Sequence, residues 1–360
     1  MSHAFNDDWI IGPDDLILIT GARGFIGSRV VETLLEMGFR NLRCFTRADS
    51  PHGKGEMRPK QRPDGAQVEM FPGNLLSRED CTAATTDVKV IYHLAASRGE
   101  KSFPDAFMNS VVTTRNLLEA CLRHRCLKRF VNVSSFAVYA NTNKPQRRLL
   151  DELCPLEQSP ELRGEAYCYA KTKQDELVTN YANIFGMPCV HVRPGYVYGP
   201  GNRAITGRVG IDTFGAFLHL GGPNKIPLTY VDNCAEAIAL VGLKQGIDGE
   251  SFNVVDDDLP TSRQFLRLYK RNVKRFNSVY LPHFVSYVLC YLWERYSQWS
   301  EGQLPPAFNR KRWHVDWKNT RYTNRKLKQL VGWTPKVPLG EALTRYFEDC
   351  RNGNPKKQNT

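Results

Sequence analysis

The chain predicts an α/β fold: a doubly wound parallel sheet with a smaller C-terminal substrate-binding part. Three observations predict it. Residues 16 to 27, Leu-Ile-Leu-Ile-Thr-Gly-Ala-Arg-Gly-Phe-Ile-Gly, read as a strand buried on both faces and a glycine turn. Further short apolar runs alternate with amphipathic segments, the mark of parallel strands joined by helices. Small and polar residues stand at the carboxyl ends of those runs, where open α/β sheets carry their chemistry.

In the first unit Gly21, Gly24 and Gly27 fall three apart, and Val30, Val31, Leu34 and Leu35 mark the apolar side of the following helix. Gly21 allows the tight turn, and Gly24 lets the backbone approach a pyrophosphate. Gly27 lets the helix pack close to the strand, and the helix N-terminus offers free N–H groups to an anion. This is a dinucleotide site. Leu42 to Thr46 reads as the second strand, and 48 to 66 as a loop rich in Pro, Gly and charge. Val68 to Phe71 and Val88 to Leu94 are the third and fourth strands. A helix begins near Pro104, and Phe130 to Val133 is the fifth strand. Residues 141 to 163 read as a loop, 165 to 185 as a helix stopped by Gly186 and Pro188, and Cys189 to Val192 as the sixth strand. The dinucleotide-binding part is thus 1 to 193. Residues 194 to 350 form the substrate-binding region, with a Gly-rich stretch at 195 to 222, a helix at 233 to 244 and a strand at 251 to 255. Some of its segments return to the sheet. Residues 351 to 360 are a polar tail.

Hydrophobic residues make up 41% of the 360, the proportion of a soluble chain able to bury a sizeable core. The polar, acidic start shows no signal peptide, and the ten cysteines form no Cys-x-x-Cys pair and no metal-ligand cluster. Buried thiols in the cytoplasm, and no metal, are the expectation. Lys plus Arg exceed Asp plus Glu by 49 − 37 = 12, which suits an anionic ligand such as a nucleotide sugar. No RNA-binding motif accompanies the charge, so nucleic acid is not expected.

Tyr167 and Lys171 stand four apart in a predicted helix and share a face. A phenol ordinarily titrates near ~10, and a neighbouring ammonium lowers it toward use as a base. Lys171 can do this and also hold a ribose hydroxyl, while Ser135, at the end of the fifth strand, can hydrogen-bond the reacting oxygen. Strand ends and the glycine turn supply the remaining cofactor candidates: Gly21, Arg23, Gly24, Phe25, Ile26 and Gly27, then Arg47, Asn74, Leu75, Leu94, Ala95, Ala96, Pro194 and Val197.

The motifs Thr20 to Gly27, His93-Leu94-Ala95-Ala96, Val133 to Tyr139, Tyr167-Cys168-Tyr169-Ala170-Lys171, Arg193 to Gly201, Tyr230 to Asn233 and Gly332 to Pro335 resemble those of the extended short-chain dehydrogenase/reductases, in the NAD-dependent epimerase/dehydratase branch. The resemblance covers roughly 15 to 350. It implies a Rossmann-like fold, an NAD(P)-dependent reaction and Ser135, four before Tyr139, as the catalytic serine. Three departures stand out. Ser110 occupies the place of the asparagine that helps anchor the lysine. Tyr196 stands where sugar-nucleotide members often have Asn. Phe136-Ala137 replaces the acidic pair of dehydratases.

These readings favour an epimerase or reductase of a nucleotide sugar. The alternative is an alcohol dehydrogenase resembling 3β-hydroxysteroid dehydrogenases or dihydroflavonol reductases. A member that has lost catalysis is disfavoured by the intact Ser135, Tyr167 and Lys171. Arg98, Ser135, Tyr196, Arg203 and Arg208 are the substrate candidates, the arginines for a diphosphate. An NAD site usually has an acidic residue about 20 positions past the glycines. Here Phe45, Thr46 and Arg47 stand there, with Lys54 and Arg58 beyond, so NADP is expected and NAD is the alternative. Residues 279 to 293 are the most apolar run and too short for the ~20 residues of a membrane span. They predict a helix packed in the core or in a homodimer. The alternative is a peripheral membrane contact through 279 to 299, helped by Arg310, Lys311 and Arg312.

Overall fold

A computed structural model describes residues 7–47, 65–96, 102–140, 148–213, 215–300 and 308–353. Arg98, Lys54, Arg58 and most of the loop expected at 48 to 66 lie outside the described residues.

The apolar run becomes β1 (Ile17–Thr20), and the glycine turn leads into α1 (Phe25–Glu36). β2 (Asn41–Arg47), β3 (Gln67–Gly73), α2 (Arg78–Thr85) and β4 (Val90–His93) follow. The helix expected near Pro104 is one run in three parts: α3 (Phe103–Phe107), a π-helical turn (Met108–Val112) and α4 (Thr113–His124). β5 (Arg129–Val133) ends at Ser134-Ser135. Within the stretch read as loop lies β6 (Arg148–Leu150). Then come α5 (Ala166–Phe185), closed by Gly186 at φ +63, and β7 (Cys189–Pro194).

The Gly-rich stretch is more ordered than its sequence indicates. It holds β8 (Tyr196–Tyr198), β9 (Gly210–Thr213) and β10 (Ala216–His219). β8 pairs with β11 (Leu228–Tyr230), a partner that local sequence does not reveal. α6 (Val231–Leu243) and β12 (Ser251–Val254) come next. α7 (Ser262–Asn272) starts with a capping box of Thr261 and Gln264. β13 (Ser278–Tyr280) pairs with β10, and α8 (His283–Trp299) follows it. The chain ends with α9 (Arg310–Asp316), β14 (Thr320–Tyr322), α10 (Arg325–Val331) and α11 (Leu339–Asn352). β14 pairs with β6 and explains why that strand was not legible locally.

The main sheet is all parallel, in the order β3-β2-β1-β4-β5-β7-β12. The order reverses between β1 and β4, so the crevice opens at their carboxyl ends. β12, late in the chain, lies at the edge of this sheet beside β7. α1 and α6 pack together over one face; α2, α4 and α5 lie over the other.

Residues 279 to 299 depart from the core reading. Phe284 and Trp299 are each 78% exposed, and Val285, Leu289, Tyr291, Leu292 and Tyr296 are exposed as well. Ser286, Cys290 and Ser297 are the buried positions of α8. Tyr287 and Trp293 are half-buried against Trp313 and Phe308, while most of the other large apolar side chains of α8 face out.

Candidate active site

The glycine turn fits a dinucleotide phosphate for steric reasons. Gly21 has φ +70, and a Cβ there would lie 3.0 Å from the Ala95 amide. A Cβ on Gly27 would run into the Gly21 carbonyl. No side chain caps α1, whose N-cap is Gly24, so its first amides are left for an anion. The Leu94 amide donates to the Thr20 carbonyl at 3.2 Å, and the Ala95 amide to Thr20 Oγ1 at 3.2 Å. Leu94, Ala95 and Ala96 therefore border the crevice beside Gly21. Asn116 donates to the carbonyls of Leu75 and Leu76 and fixes the turn that carries Asn74. Arg47 ends β2, exposed, opposite Gly73.

Ser135 follows the end of β5, Lys171 of α5 reaches that end, and Tyr167 stands one turn before Lys171 on the same helix. Ser135 Oγ accepts the Ala137 amide at 3.2 Å, which leaves its O–H to donate. The Ala137 carbonyl accepts Cys168 Sγ at 3.1 Å and the Arg163 guanidinium, pinning the start of α5 to the Ser135 turn. Tyr167 is 39% exposed. Lys171, one turn on, is buried. Its Nζ donates to the Val133 carbonyl at 2.7 Å and to Gln174 Oε1 at 2.9 Å. Burial pushes its pKa down to about 8, against the pull of Asp175.

The sequence reading missed what lies behind the lysine. Gln174 Nε2 donates to Thr114 Oγ1 at 2.8 Å. Thr114 gives its own proton to the Ser110 carbonyl at 2.5 Å, within the π-helical turn. It therefore accepts from His93 Nε2 at 2.8 Å, and His93 Nδ1 accepts from Thr20 Oγ1 at 2.8 Å. Every donor and acceptor in this chain has one consistent assignment. His93 is neutral, its pKa pushed down to about 3 by burial and the Lys171 charge. Lys171 is thus tied through Gln174, Thr114 and His93 to the strand that opens the glycine turn. Ser110 enters through its carbonyl, at the position where the resemblance implied an asparagine.

A second buried group supports the same helix. Asp175 accepts Asn132 Nδ2 at 2.8 Å and Arg193 Nε at 3.1 Å, with His191 Nδ1 at 3.5 Å. Burial raises the Asp175 pKa, but the charges and hydrogen bonds of His191 and Arg193 outweigh it and hold the group below the carboxylate range. Arg193 also donates to the Tyr139 hydroxyl at 3.1 Å, which donates to Asn253 at 2.7 Å. The signal was available: Tyr167, Lys171 and Asp175 recur every four residues along one helix face.

The substrate candidates separate. Tyr196 is half-buried on β8, and its hydroxyl donates to the Ala204 carbonyl at 2.9 Å; Pro194 and Val197 flank it, buried. Arg208 donates to the Val315 carbonyl at 2.8 Å and to the Tyr322 hydroxyl at 3.3 Å. Arg203 binds Asp349 of α11 through both Nε and Nη2, at 2.9 and 3.0 Å. That pair ties the loop to the C-terminal helix.

A doubly wound sheet with a glycine turn at its switch point and a Ser, Tyr, Lys corner beside it defines a dinucleotide-dependent enzyme of the extended short-chain dehydrogenase type. The sequence model of the NAD dependent epimerase/dehydratase family matches residues 17–254, and the chain belongs to that family. It is 26% identical over 352 residues to UDP-glucose 4-epimerase of Mycolicibacterium smegmatis, covering 93% of this chain and 98% of that one. It is 27% identical to UDP-N-acetyl-alpha-D-glucosaminuronate decarboxylase of Bacillus cytotoxicus over 67% of this chain and 75% of the relative. The structure of UDP-glucuronic acid 4-epimerase from Bacillus cereus in complex with NAD superposes with TM-score 0.68 at 22% identity, over 94% of this chain and 99% of that one. This last is a likeness of fold.

Proposed function

We propose that the protein moves a hydride between a nicotinamide dinucleotide and a carbinol carbon of a nucleotide-linked sugar, as an epimerase or a reductase. The observation that carries the reading is the buried ammonium of Lys171, fixed by two acceptors one turn behind a partly exposed Tyr167. The cofactor, when bound, supplies the hydride acceptor and donor. Gly21, Arg23, Gly24, Phe25, Ile26 and Gly27 hold its phosphates, and Asn74, Leu75, Leu94, Ala95, Ala96, Pro194 and Val197 line its path. Tyr167 takes the carbinol proton. Lys171 favours the phenolate and holds a ribose hydroxyl. Ser135 donates to the reacting oxygen and keeps it in line. Tyr196 and Arg208 flank the sugar nucleotide, and Arg203 joins them on releasing Asp349.

NADP is the preferred cofactor in this reading, because Arg47 ends β2 where an acidic residue would repel a 2′-phosphate. NAD, which the Bacillus cereus structure contains, is the alternative. Titration with both dinucleotides tests the preference, and tighter binding of NAD overturns it. We further place the chain in the cytoplasm, in keeping with its ten free cysteines, and as a homodimer, in keeping with Ile184 and Phe185 left exposed on α5. Sedimentation at the mass of one chain removes the dimer.

Calorimetric titration of the cofactor-loaded enzyme tests the substrate. Uridine, guanosine and thymidine diphosphate sugars form one panel and hydroxysteroids the other. Saturable binding of a sugar nucleotide is expected. Binding of a steroid with none of the sugar nucleotides transfers the assignment to an apolar alcohol.

A further inference from the structure

We propose that α7 and α8 form a docking surface for an anionic lipid bilayer. α8 carries Phe284, Val285, Leu292, Tyr296 and Trp299 exposed, and Phe284 and Trp299, one near each end, are its most exposed large apolar residues. The fully buried positions of α8 are Ser286, Cys290 and Ser297, with Tyr287 and Trp293 half-buried against Trp313 and Phe308, so most of its apolar area stays outside. Its apolar side is left for another phase or another surface. Leu289, Leu292 and Tyr296 are exposed and also line an apolar cavity of about 430 Å³ between α8 and β10, whose far wall includes Leu218, Leu220 and Trp317. A hydrocarbon chain reaching that mouth would meet apolar atoms throughout.

Charge selects the occupant. From Thr261 to Trp299 the chain has seven cations, Arg263, Arg267, Lys270, Arg271, Lys274, Arg275 and Arg295, and one carboxylate, Glu294. Glu294 is held by Arg310 at 2.9 Å. Arg263, Arg267, Lys270 and Lys274 recur every three or four residues, with Arg271 four after Arg267, and form one stripe of α7 and its end, opposite the buried Phe265. None of the seven forms a salt bridge with a described residue. The stripe adjoins the strand that leads into α8: Arg263 stacks on Tyr280 at 5.2 Å, and Lys270 donates to Ser278 Oγ at 2.6 Å. Cations beside an exposed aromatic helix match anionic headgroups above acyl chains. A second copy on a twofold axis would set this cationic patch against itself. Arg310, Lys311 and Arg312, named from sequence as the basic helpers, are instead paired with Glu294, Glu157 and Glu165.

The test is flotation of the full chain with vesicles of phosphatidylcholine alone and of phosphatidylcholine with phosphatidylglycerol. The chain is expected to float with the anionic vesicles only, and less as salt is raised. Arg267→Glu with Arg271→Glu is expected to weaken that binding by roughly 30-fold or more. Phe284→Gln with Trp299→Gln is expected to weaken it about tenfold or more. Both pairs are exposed, and unchanged circular dichroism verifies that the variants fold. Absence from both vesicle types overturns the proposal. So does flotation that neither pair of substitutions alters, or a dimer that Phe284→Gln with Trp299→Gln dissociates, since a second copy then covers the face. None of these readouts needs a substrate, so they stand or fall apart from the hydride-transfer reading.

Discussion

α5 and α8 are both long helices, and each departs from the rule that apolar residues go in and polar ones out, in opposite senses. α5 buries Lys171, Gln174 and Asp175 and leaves Ile184 and Phe185 exposed at its end. α8 buries serines and exposes aromatics. The buried polar groups of α5 all have partners, so their desolvation is offset by directed hydrogen bonds, and the result is a lysine held in one place. Of the exposed aromatics of α8, Tyr296 and Trp299 pack on each other at 5.7 Å and Tyr291 lies under the Arg310 guanidinium at 5.0 Å, contacts that still leave much of each ring exposed. Buried polar groups with directed partners hold a side chain in one place; exposed apolar groups leave a face open to another surface.

The largest effect should come from the open end of α5. Tyr167→Phe is expected to lower turnover about 10²–10⁴-fold while cofactor affinity stays within a few-fold, because only the phenolic proton is lost. Turnover near that of the unaltered enzyme would dismiss Tyr167 as the acid and base. Behind it, Asp175→Ala strands Arg193 in the interior. Removing one partner of a buried pair costs about 3–5 kcal/mol, to be read as a fall in urea midpoint at unchanged slope. A change within about 0.5 kcal/mol, the range of ordinary surface substitutions, would show that the network is not held together by this carboxylate.

Lys171 gives the third test. Its pKa falls from 10.5 in the open chain to about 8 in the fold. Between those values the unfolded chain binds the proton and the folded one does not, so stability rises with pH across this window and the penalty is fully present below about 8. The full shift amounts to roughly 3 kcal/mol. Wild type should therefore gain stability relative to Lys171→Met as pH rises from 8 to 10.5, by denaturant melts at each pH. A gap that stays flat would contradict the buried charge. Gln174→Met should act more weakly, lowering turnover about tenfold, the value of one net hydrogen bond to a charged group. Loss of the acceptor disfavours the charged lysine, so the pH profile moves to lower pH. Gln174→Glu moves it the other way. Unmoved profiles with a changed melting temperature would leave Gln174 as packing alone.

The parts of the fold that local pattern encodes were legible: the first unit of 16 to 36, the alternating strands, the helix carrying Tyr167 and Lys171, and a strand at 251 to 255. β6, β8 and β10 were not, because their partners β14, β11 and β13 lie far along the chain and none is an alternating run long enough to announce itself. At the candidate site, Tyr167 and Lys171 were singled out by their spacing of four and Ser135 by the family resemblance. Gln174 and Thr114 could not, since their roles arise from α4 and α5 meeting in space. For 279 to 299, composition indicated a helix. Which side of it faces the protein is decided by α9 and β10, and the sequence holds no record of that choice.

The smallest expected effect sharpens this last point. If the apolar side of α8 packs on nothing within the chain, removing it costs almost nothing. Phe284→Gln or Trp299→Gln should shift stability by no more than about 0.5 kcal/mol in lipid-free buffer, the range for exposed substitutions. Core truncations of comparable side chains cost about 2–5 kcal/mol. The inner side of the same helix should behave oppositely. Ser286 is 2% exposed and its Oγ accepts the Trp313 indole N–H at 2.9 Å. Ser286→Leu overpacks that contact and strands the indole donor, for a loss of about 1–3 kcal/mol. Urea melts of the three variants decide the matter. If Phe284→Gln proves as damaging as Ser286→Leu, the outer face is covered by this chain itself and the contrast between the two helices fails.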